Sequence, residues 1–535
     1  MNGYRPRLFR RDSESRPLLS SDVSRPTSES EGPGFMFYQS ETSDSEAWDQ
    51  SQPNFISSHR AAFNQDQDLY STFVPKKPPI VDSTMSKRNQ TSRKEPTISK
   101  QSSLVTIFAV WNTMMGTSLL AMPWGMERAG LVAGPFLMIV QGGVCLFTAY
   151  LNLRTESHLG SPTWEISELT RALLGPVAEV IAKIFSFVVL LGANIVYWIL
   201  MSNFLYFTIN FITGVREDVI LSDTVVSSVN SSLAGALCPL FKEEIMNESL
   251  KEISLYQRIW DLQNTVPIFL VLIIGPLLNF KSPTFFTKFN SLGTLSVMYI
   301  ILFVIIKSSF WGINIDLKDV TSIHYTPLIK GSFPAMSGML ALSYFIHNII
   351  ITLMRSNANQ KNNGRDLTIA YILVMLTYLS IGVVFFLGFP LGKSCIQDNL
   401  LNNFATWDIM TVAARAFLLF QLMTVFPLIS YMLRVQTMVA LVGNPYPSRG
   451  HILLFNAFVI TVCVLFAVFL PKIGTIIRFT GALSGLVHVF AIPCLLRLAT
   501  LKKSGKISTP SYTMYILIII YGAANLIGQF FVKDR

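Results

Sequence analysis

From residue 101 onwards the chain alternates between long apolar segments and short polar connections. Each apolar segment holds roughly 20 residues, which is the length that crosses the hydrocarbon core of a bilayer. The segment "LTIAYILVMLTYLSIGVVFFLG", for example, has no polar stripe every 3.6 residues, as a helix on a water-soluble protein would have. The pattern predicts an all-α, multi-spanning membrane protein with eleven transmembrane helices, at 104–125, 130–152, 178–212, 264–280, 289–309, 333–354, 367–389, 409–440, 450–470, 474–498 and 512–532.

The first hundred residues have a different composition from this transmembrane domain, 101–535. Residues 1–100 are rich in Ser, Arg, Asp, Gln and Pro and contain no apolar run, which predicts a disordered tail. Within the tail, "ESRPLL" has the acidic-dileucine form that endolysosomal sorting adaptors read, so Glu14, Leu18 and Leu19 are candidate sorting residues. The alternative is that this stretch is ordinary disordered chain.

The loops between the spans predict the orientation of the chain. The loop after the third span, 213–262, carries N-glycosylation sequons at Asn230 and Asn247, which places it in a lumen. The short loops after the even-numbered spans are rich in Lys and Arg, and such loops stay cytoplasmic. Both signs predict a cytosolic N-terminus and a lumenal C-terminus.

Composition excludes several classes of protein. The sequence is 51% hydrophobic and 14% charged, which is far from a water-soluble composition. Its net charge of +10 is distributed over the tail and the loops, without the continuous basic surface that binds nucleic acid. There is no catalytic motif and no Cys or His cluster with zinc spacing, so the sequence does not predict an enzyme. Membrane lipid is the predicted environment.

The five cysteines divide between spans and loops. Cys238 and Cys395 follow spans 3 and 7, on the side predicted to be lumenal, where they form either a disulfide or two free thiols. The GxxxG sequence at 481–485 predicts close helix contact. The three remaining cysteines lie within spans and are predicted packing residues: Cys145, Cys463 and Cys494.

The first span contains an unusual stretch, "WNTMMGTSLLAMPWG", from Trp111 to Gly125. Gly116 weakens the helix and Pro123 removes a backbone donor, so the stretch predicts a discontinuous helix. Broken helix at membrane depth exposes amide groups that bind a carboxylate and carbonyl groups that bind a cation. This chemistry suits an amino acid travelling with Na⁺ or H⁺. The alternative is a kinked helix packed through small residues.

Spans 6 and 8 contain matching irregularities. Span 6 has Pro and Gly near its start and the polar pair His347–Asn348 near its middle, which either takes part in binding or proton transfer or serves as packing. In span 8, Thr424 and Pro427 offer a hydroxyl and freed carbonyls as hard oxygen ligands for Na⁺. A proline kink with a back-bonded threonine is the alternative there.

Six segments carry a family resemblance: "SLVTIFAVWNTMMGTSLLAMPWG", "IVYWILMSNFL", "LLNFKSPTFFTKFN", "SYFIHNIIITLM", "GRDLTIAYILVMLTYLSIGV" and "LLFQLMTVFPLISYMLRVQ". In this order they resemble the sodium-coupled neutral amino acid transporters of solute carrier family 38, and most closely its lysosomal arginine-sensing member. The resemblance implies a fold like that of the bacterial leucine transporter, a 5+5 inverted repeat plus one helix. It also implies residence in the lysosome or late endosome membrane and export of amino acids to the cytosol.

The resemblance also implies a set of site residues. Those matching the first-span stretch for arginine, or for leucine or another neutral amino acid, are Asn112, Thr113, Met114, Met115, Gly116 and Thr117. His347 and Asn348, singled out by the polar pattern of span 6 and not by the resemblance, complete the predicted substrate site. Asn112 and Thr424 match positions associated with the sodium ion.

Two functional hypotheses follow from the resemblance. The first is a carrier, a sodium-linked lysosomal amino acid transporter. The second is a sensor that reports lumenal amino acids to the Rag GTPases and the mTORC1 kinase complex. In the family member concerned, the cytosolic tail docks on the Ragulator–Rag GTPase complex. The tail of this chain does not match that docking segment, whereas the transport domain matches throughout.

Overall fold

A computed structural model describes residues 101–159, 165–214, 235–238, 255–279 and 292–533 of the chain. The regular elements in these ranges are all helices. The predicted sorting residues Glu14, Leu18 and Leu19 and the predicted glycosylation sites Asn230 and Asn247 lie outside the described residues.

Sixteen α-helices follow one another along the described chain. Their bounds are α1 Ser103–Met114, α2 Ser118–Ala129, α3 Ala133–Leu159, α4 Ile166–Leu174, α5 Pro176–Ile212, α6 Leu255–Ile259, α7 Val266–Leu278, α8 Leu292–Trp311, α9 Phe333–Ser343, α10 Ile350–Arg355, α11 Asn363–Gly388, α12 Ile409–Val442, α13 Arg449–Phe469, α14 Ile473–Gly485, α15 Ile492–Lys503 and α16 Thr509–Gln529. A turn of π-helix at Leu486–Ala491 joins α14 to α15.

Eight helical segments in the described part are long and apolar enough to cross a membrane. The pair α1 and α2 also passes this test when taken together, although its two halves are bent by 61°. Two shorter apolar helices, α7 and α9, accompany them. The chain is therefore a multi-spanning membrane protein, as the apolar pattern predicts.

The first span is discontinuous, as its sequence predicts. Ser102 caps the start of α1 by accepting a hydrogen bond from the amide of Val105. The helix ends at Met114, because Met115 has φ −75° and ψ 78°, outside the helical region. Helical geometry resumes at Ser118, and Pro123 lies inside the second half. Gly116 stands in the gap, where a Cβ added to it would lie 3.6 Å from the Tyr197 hydroxyl, an ordinary contact distance.

The interior contains a close contact between α14 and α9. A Cβ built on Gly481 would lie 2.2 Å from the carbonyl oxygen of Gly338, and one on Gly485 would lie 3.0 Å from the Cβ of Ala341. The GxxxG sequence is therefore a helix-contact surface, as predicted. The three cysteines predicted to pack within spans are free and buried: Cys145, Cys463 and Cys494.

Cys238 and Cys395 form a disulfide, which confirms the first of the two alternatives that the sequence leaves open. Their Cα atoms are 4.9 Å apart. Backbone bonds support the junction: the amide of Leu237 donates to the carbonyl of Asn403, and that of Ala405 donates to the carbonyl of Gly235. The bond fixes the segment around Cys238 to the connection between α11 and α12.

Candidate functional site at the helix breaks

The break in the first span presents unpaired amide groups at the start of α2. The N–H groups of Thr117 and Ser118 donate to no acceptor among the described residues, whereas the amides of Leu119 and Leu120 already close turns. Thr117 is half-buried and its side chain makes no capping hydrogen bond. The positive end of a helix dipole and two free donors therefore point into the gap, which is the arrangement that binds an anionic group.

The sixth predicted span is also broken. Helix α9 ends at Ser343 and α10 begins at Ile350, so the intervening residues leave the regular hydrogen-bond ladder. The hydroxyl of Tyr378, on α11, lies 2.7 Å from the carbonyl oxygen of Met114 and 2.9 Å from that of Ser343. These carbonyls belong to the last residues of α1 and α9. The structure thus brings the carbonyl ends of both broken spans to one point.

Helix α11 supplies contacts that our sequence reasoning missed. Besides Tyr378, the Tyr371 hydroxyl donates to the carbonyl of Tyr344 at 3.1 Å. The indole N–H of Trp111 donates to the Thr377 hydroxyl at 3.2 Å. The available signal was the spacing of the two α11 tyrosines, which are seven residues apart and so share one face of an otherwise apolar helix.

His347 lies in the span 6 break but faces α3. It is fully buried, and its Nε2 is 2.9 Å from the Thr148 hydroxyl and 3.2 Å from the carbonyl oxygen of Cys145. Asn152, also on α3, donates to the carbonyl of His347 at 3.5 Å. Asn348 is half-buried beside it. These hydrogen bonds of His347 therefore connect span 6 to α3 rather than to the gap in the first span.

The predicted sodium residues lie on α1 and α12, with α8 in contact with both helices. The Thr294 hydroxyl of α8 donates to Asn112 Oδ1 at 3.2 Å. A Cβ on the adjacent Gly293 would lie 2.8 Å from the Gln421 amide nitrogen, so Gln421 packs closely against α8. Thr424 donates its hydroxyl proton to the carbonyl of Gln421 at 2.7 Å, one turn before Pro427. Its oxygen keeps free lone pairs, and the back-bonded form is the one expected beside a proline kink.

The first-span residues other than Asn112 and Thr117 differ in exposure. Thr113 is exposed and donates back to the carbonyl of Ala109 at 2.7 Å. The Met114 and Met115 side chains are buried, and Gly116 is half-buried. Thus Met114 contributes its carbonyl group to the break. The partly exposed residues of the break are Gly116 and Thr117.

The far end of α2 is closed by ion pairs and packing. Lys330 contacts Glu127 at 2.7 Å, and the Arg128 guanidinium lies 5.2 Å from the centre of the Trp124 ring. The amide of Gly474, at the start of α14, donates to Asp398 Oδ2 at 2.8 Å. Loss of hydration raises the pKa of the Asp398 carboxyl, and the bond from Gly474 offsets only part of this rise. These contacts hold the C-terminal end of α2 against the neighbouring segments.

Taken together, several apolar spanning helices surround two discontinuous ones, whose carbonyl ends meet in the interior. Half-helices of this kind are how membrane carriers bind small zwitterionic solutes and ions at mid-depth, so the fold and the site define a membrane transport protein.

The chain belongs to the family described as "Transmembrane amino acid transporter protein", whose sequence profile matches residues 99–532. It is 43% identical over 445 residues to "Neutral amino acid transporter 9" of Rattus norvegicus, covering 81% of this chain and 80% of that protein. It is 41% identical over 457 residues to "Sodium-coupled neutral amino acid transporter 9 homolog" of Caenorhabditis elegans, covering 81% and 74%. More distantly, it is 25% identical over 419 residues to "Sodium-coupled neutral amino acid transporter 7" of Danio rerio, covering 74% and 79%.

These similarities confirm the resemblance to solute carrier family 38. The protein is an amino acid transporter and not an enzyme.

Proposed function

We propose that this transporter moves amino acids from the lysosomal lumen to the cytosol, is coupled to sodium and responds to arginine. The observation that carries the proposal is the pair of unpaired amides at Thr117 and Ser118, beside the converging carbonyls of Met114 and Ser343. The α-carboxylate of an amino acid fits the amides, and its α-ammonium fits the carbonyls. The names of two relatives, which contain "neutral amino acid transporter", support this choice of substrate.

Sodium coupling is supported by two oxygen atoms, one on α1 and one on α12, and by the name of a relative. Asn112 Oδ1 and the Thr424 hydroxyl are hard oxygen ligands of the kind that sodium takes. The relative from Caenorhabditis elegans is named as sodium-coupled. In our proposal sodium binds beside the first-span break, with the amino acid next to it, and both cross together.

We further propose eleven spans arranged as two five-helix inverted repeats plus one helix. The eight long helical segments, the bent pair α1–α2 and the short helices α7 and α9 coincide with the eleven apolar segments of the sequence. Breaks in spans 1 and 6 are the pattern that such a repeat produces, because these spans occupy equivalent places in its two halves.

The proposed orientation has a cytosolic N-terminus and a lumenal C-terminus. The Cys238–Cys395 disulfide supports it, since disulfides form in oxidising compartments and both cysteines fall in loops assigned to the lumen. The sequons at Asn230 and Asn247 belong to the first of these loops.

Transport into proteoliposomes containing the full chain tests the proposal. We expect uptake of labelled leucine or arginine well above that of protein-free liposomes, and roughly tenfold less uptake when choline replaces sodium. Uptake that does not depend on sodium would reject the sodium coupling alone. If no labelled amino acid crosses, while the same protein captures purified Ragulator–Rag complex through residues 1–100, the sensor hypothesis replaces the carrier.

A further inference from the structure

One buried hydroxyl faces the ends of both broken helices. Tyr378 is completely buried, and its hydroxyl lies 2.7 Å from the carbonyl oxygen of Met114 and 2.9 Å from that of Ser343. A phenol carries a single proton, so it forms a full hydrogen bond with one of these carbonyls at a time or divides a weaker one between them.

The two carbonyls are the ones that most need a partner. Each belongs to the last residue of its helix, Met114 of α1 and Ser343 of α9, where carbonyl groups lack the usual intrahelical donor. The negative ends of the two helix dipoles therefore converge on the Tyr378 hydroxyl. The amide of Gly116 also donates to Met114, at 2.9 Å, whereas Ser343 receives its hydrogen bond from Tyr378 across the helix interface.

The neighbouring tyrosines provide a comparison. Tyr371, on the same face of α11, donates only to the carbonyl of Tyr344 at 3.1 Å, which lies in the span 6 break. Tyr344 donates to the carbonyl of Met138 on α3 at 3.1 Å. In the described part of the chain, Tyr378 is the tyrosine whose hydroxyl contacts both broken spans, and Thr377 beside it receives the Trp111 indole N–H.

We propose that Tyr378 is a positioning residue of the substrate site, which holds the carbonyl ends of α1 and α9 in register around the bound amino acid. Its shared proton connects the two ends, so that a shift of one carbonyl changes the hydrogen bond available to the other. The carbonyl that does not receive the proton keeps its lone pairs for the cationic group of the solute. This inference rests on the proposed function in placing the amino acid at the breaks.

This role is tested by measuring both the affinity for amino acids and the thermal stability of variants at Tyr378 and Tyr371. Binding of L-leucine and L-arginine to the purified full chain is followed by the ligand-dependent shift in melting temperature, and transport by uptake into proteoliposomes. For Tyr378→Phe we expect the Kd and the KM to rise about tenfold, the size of one lost net hydrogen bond. The matched control Tyr371→Phe also loses one buried phenol, but at a single break, and its Kd should stay within about twofold of wild type.

A purely structural role predicts a different result. In that case both variants would lose similar thermal stability and show the same change in Kd, and this outcome overturns the inference, as does an unchanged Kd in Tyr378→Phe. If Tyr378→Phe folds poorly, 4-fluorophenylalanine at position 378 fills the space of the hydroxyl without its proton and should give the same rise in Kd.

The binding measurement separates this inference from the proposed function. A wild-type chain that binds amino acids without moving them would reject the carrier, and the comparison of Kd values would still decide the role of Tyr378. A wild-type chain that neither binds nor transports the two amino acids would overturn both.

Discussion

Thr117 occupies the point at which the first span becomes helical again. Its amide and that of Ser118 have no acceptor among the described residues, and its side chain is half-buried without a capping bond. A β-branched apolar side chain at this point would crowd the amides and remove a hydroxyl that can contact a bound carboxylate. The position is therefore sensitive to side-chain chemistry as well as to size.

Replacing Thr117 with isoleucine should lower uptake of labelled leucine into proteoliposomes by about tenfold at limiting substrate. A matched control is Thr513→Ile on α16, where the threonine is exposed and donates only to the carbonyl of Thr509 in its own helix. The control should transport as wild type does. Equal uptake by the two variants would mean that the polar stretch has only a structural role.

The residues of the site were predictable where they lie close together in the sequence. The small and hydroxyl-bearing residues around Gly116 predict a break, and the break is present. The partners of that break were not predictable: Thr294 and Tyr378 come from helices distant in sequence, and each is a common residue in a membrane span. Their role depends on which helix faces which, and an apolar pattern does not determine this.

At the scale of elements, the contact between α14 and α9 sets the position of one half of a broken span. Gly481 and Gly338 allow the two backbones to touch, because a Cβ on Gly481 would lie 2.2 Å from the carbonyl oxygen of Gly338. A backbone atom cannot move aside as a flexible side chain does. A larger residue at 481 must therefore separate the helices.

Gly481→Ala should lower the melting temperature of the purified protein by several degrees, because overpacking of this kind costs about 1–3 kcal/mol. The control is Gly143→Ala on α3, where an added Cβ meets nothing within 4 Å and alanine favours the helix. That variant should melt at or slightly above the wild-type temperature. A similar loss of stability in both variants would argue against the close contact.

Helix positions were predictable more fully than helix ends. The apolar segment 333–354 predicts a single span, and its Pro and Gly residues point to irregularity without locating it. In the structure, α9 ends at Ser343, and tyrosine hydroxyls of α11 donate to the carbonyls of Ser343 and Tyr344. Where a distant side chain replaces the hydrogen bond of the next helical turn, the helix ends at a point that local sequence does not mark.

At the scale of the whole molecule, the connection between α11 and α12 contains a buried amine. Lys393 is 5% exposed, donates to the carbonyl of Phe389 at 2.9 Å and lies 5.4 Å from the centre of the Phe386 ring. Burial lowers its pKa from 10.5 to about 7. Because the unfolded chain binds this proton more tightly, proton uptake on unfolding destabilises the folded protein increasingly as the pH falls from about 10.5, and this loss of stability is complete below about pH 7.

Lys393→Met should therefore stabilise the protein in acid. Methionine loses the bond to Phe389, worth about 1 kcal/mol, whereas charging the buried amine costs about 1.4 kcal/mol for each unit of pKa shift. We expect the variant to melt above wild type at pH 5–7, and the difference to shrink as the pH rises from about 7 towards 10. Thermal unfolding followed by tryptophan fluorescence across this range measures the melting temperatures of the variant and of wild type. A difference that stays constant at every pH would contradict the assignment of the effect to the Lys393 amine.

The Cys238–Cys395 bond encloses a loop of chain with a sequence separation of 157 residues, including α6 to α11. A single cut by a protease anywhere between these cysteines divides the polypeptide into two pieces that stay covalently joined. Such a nicked molecule runs as one chain on a gel until a reductant is added, and then as two. In a compartment rich in proteases, this bond therefore keeps the two pieces of a nicked chain together in a one-to-one ratio.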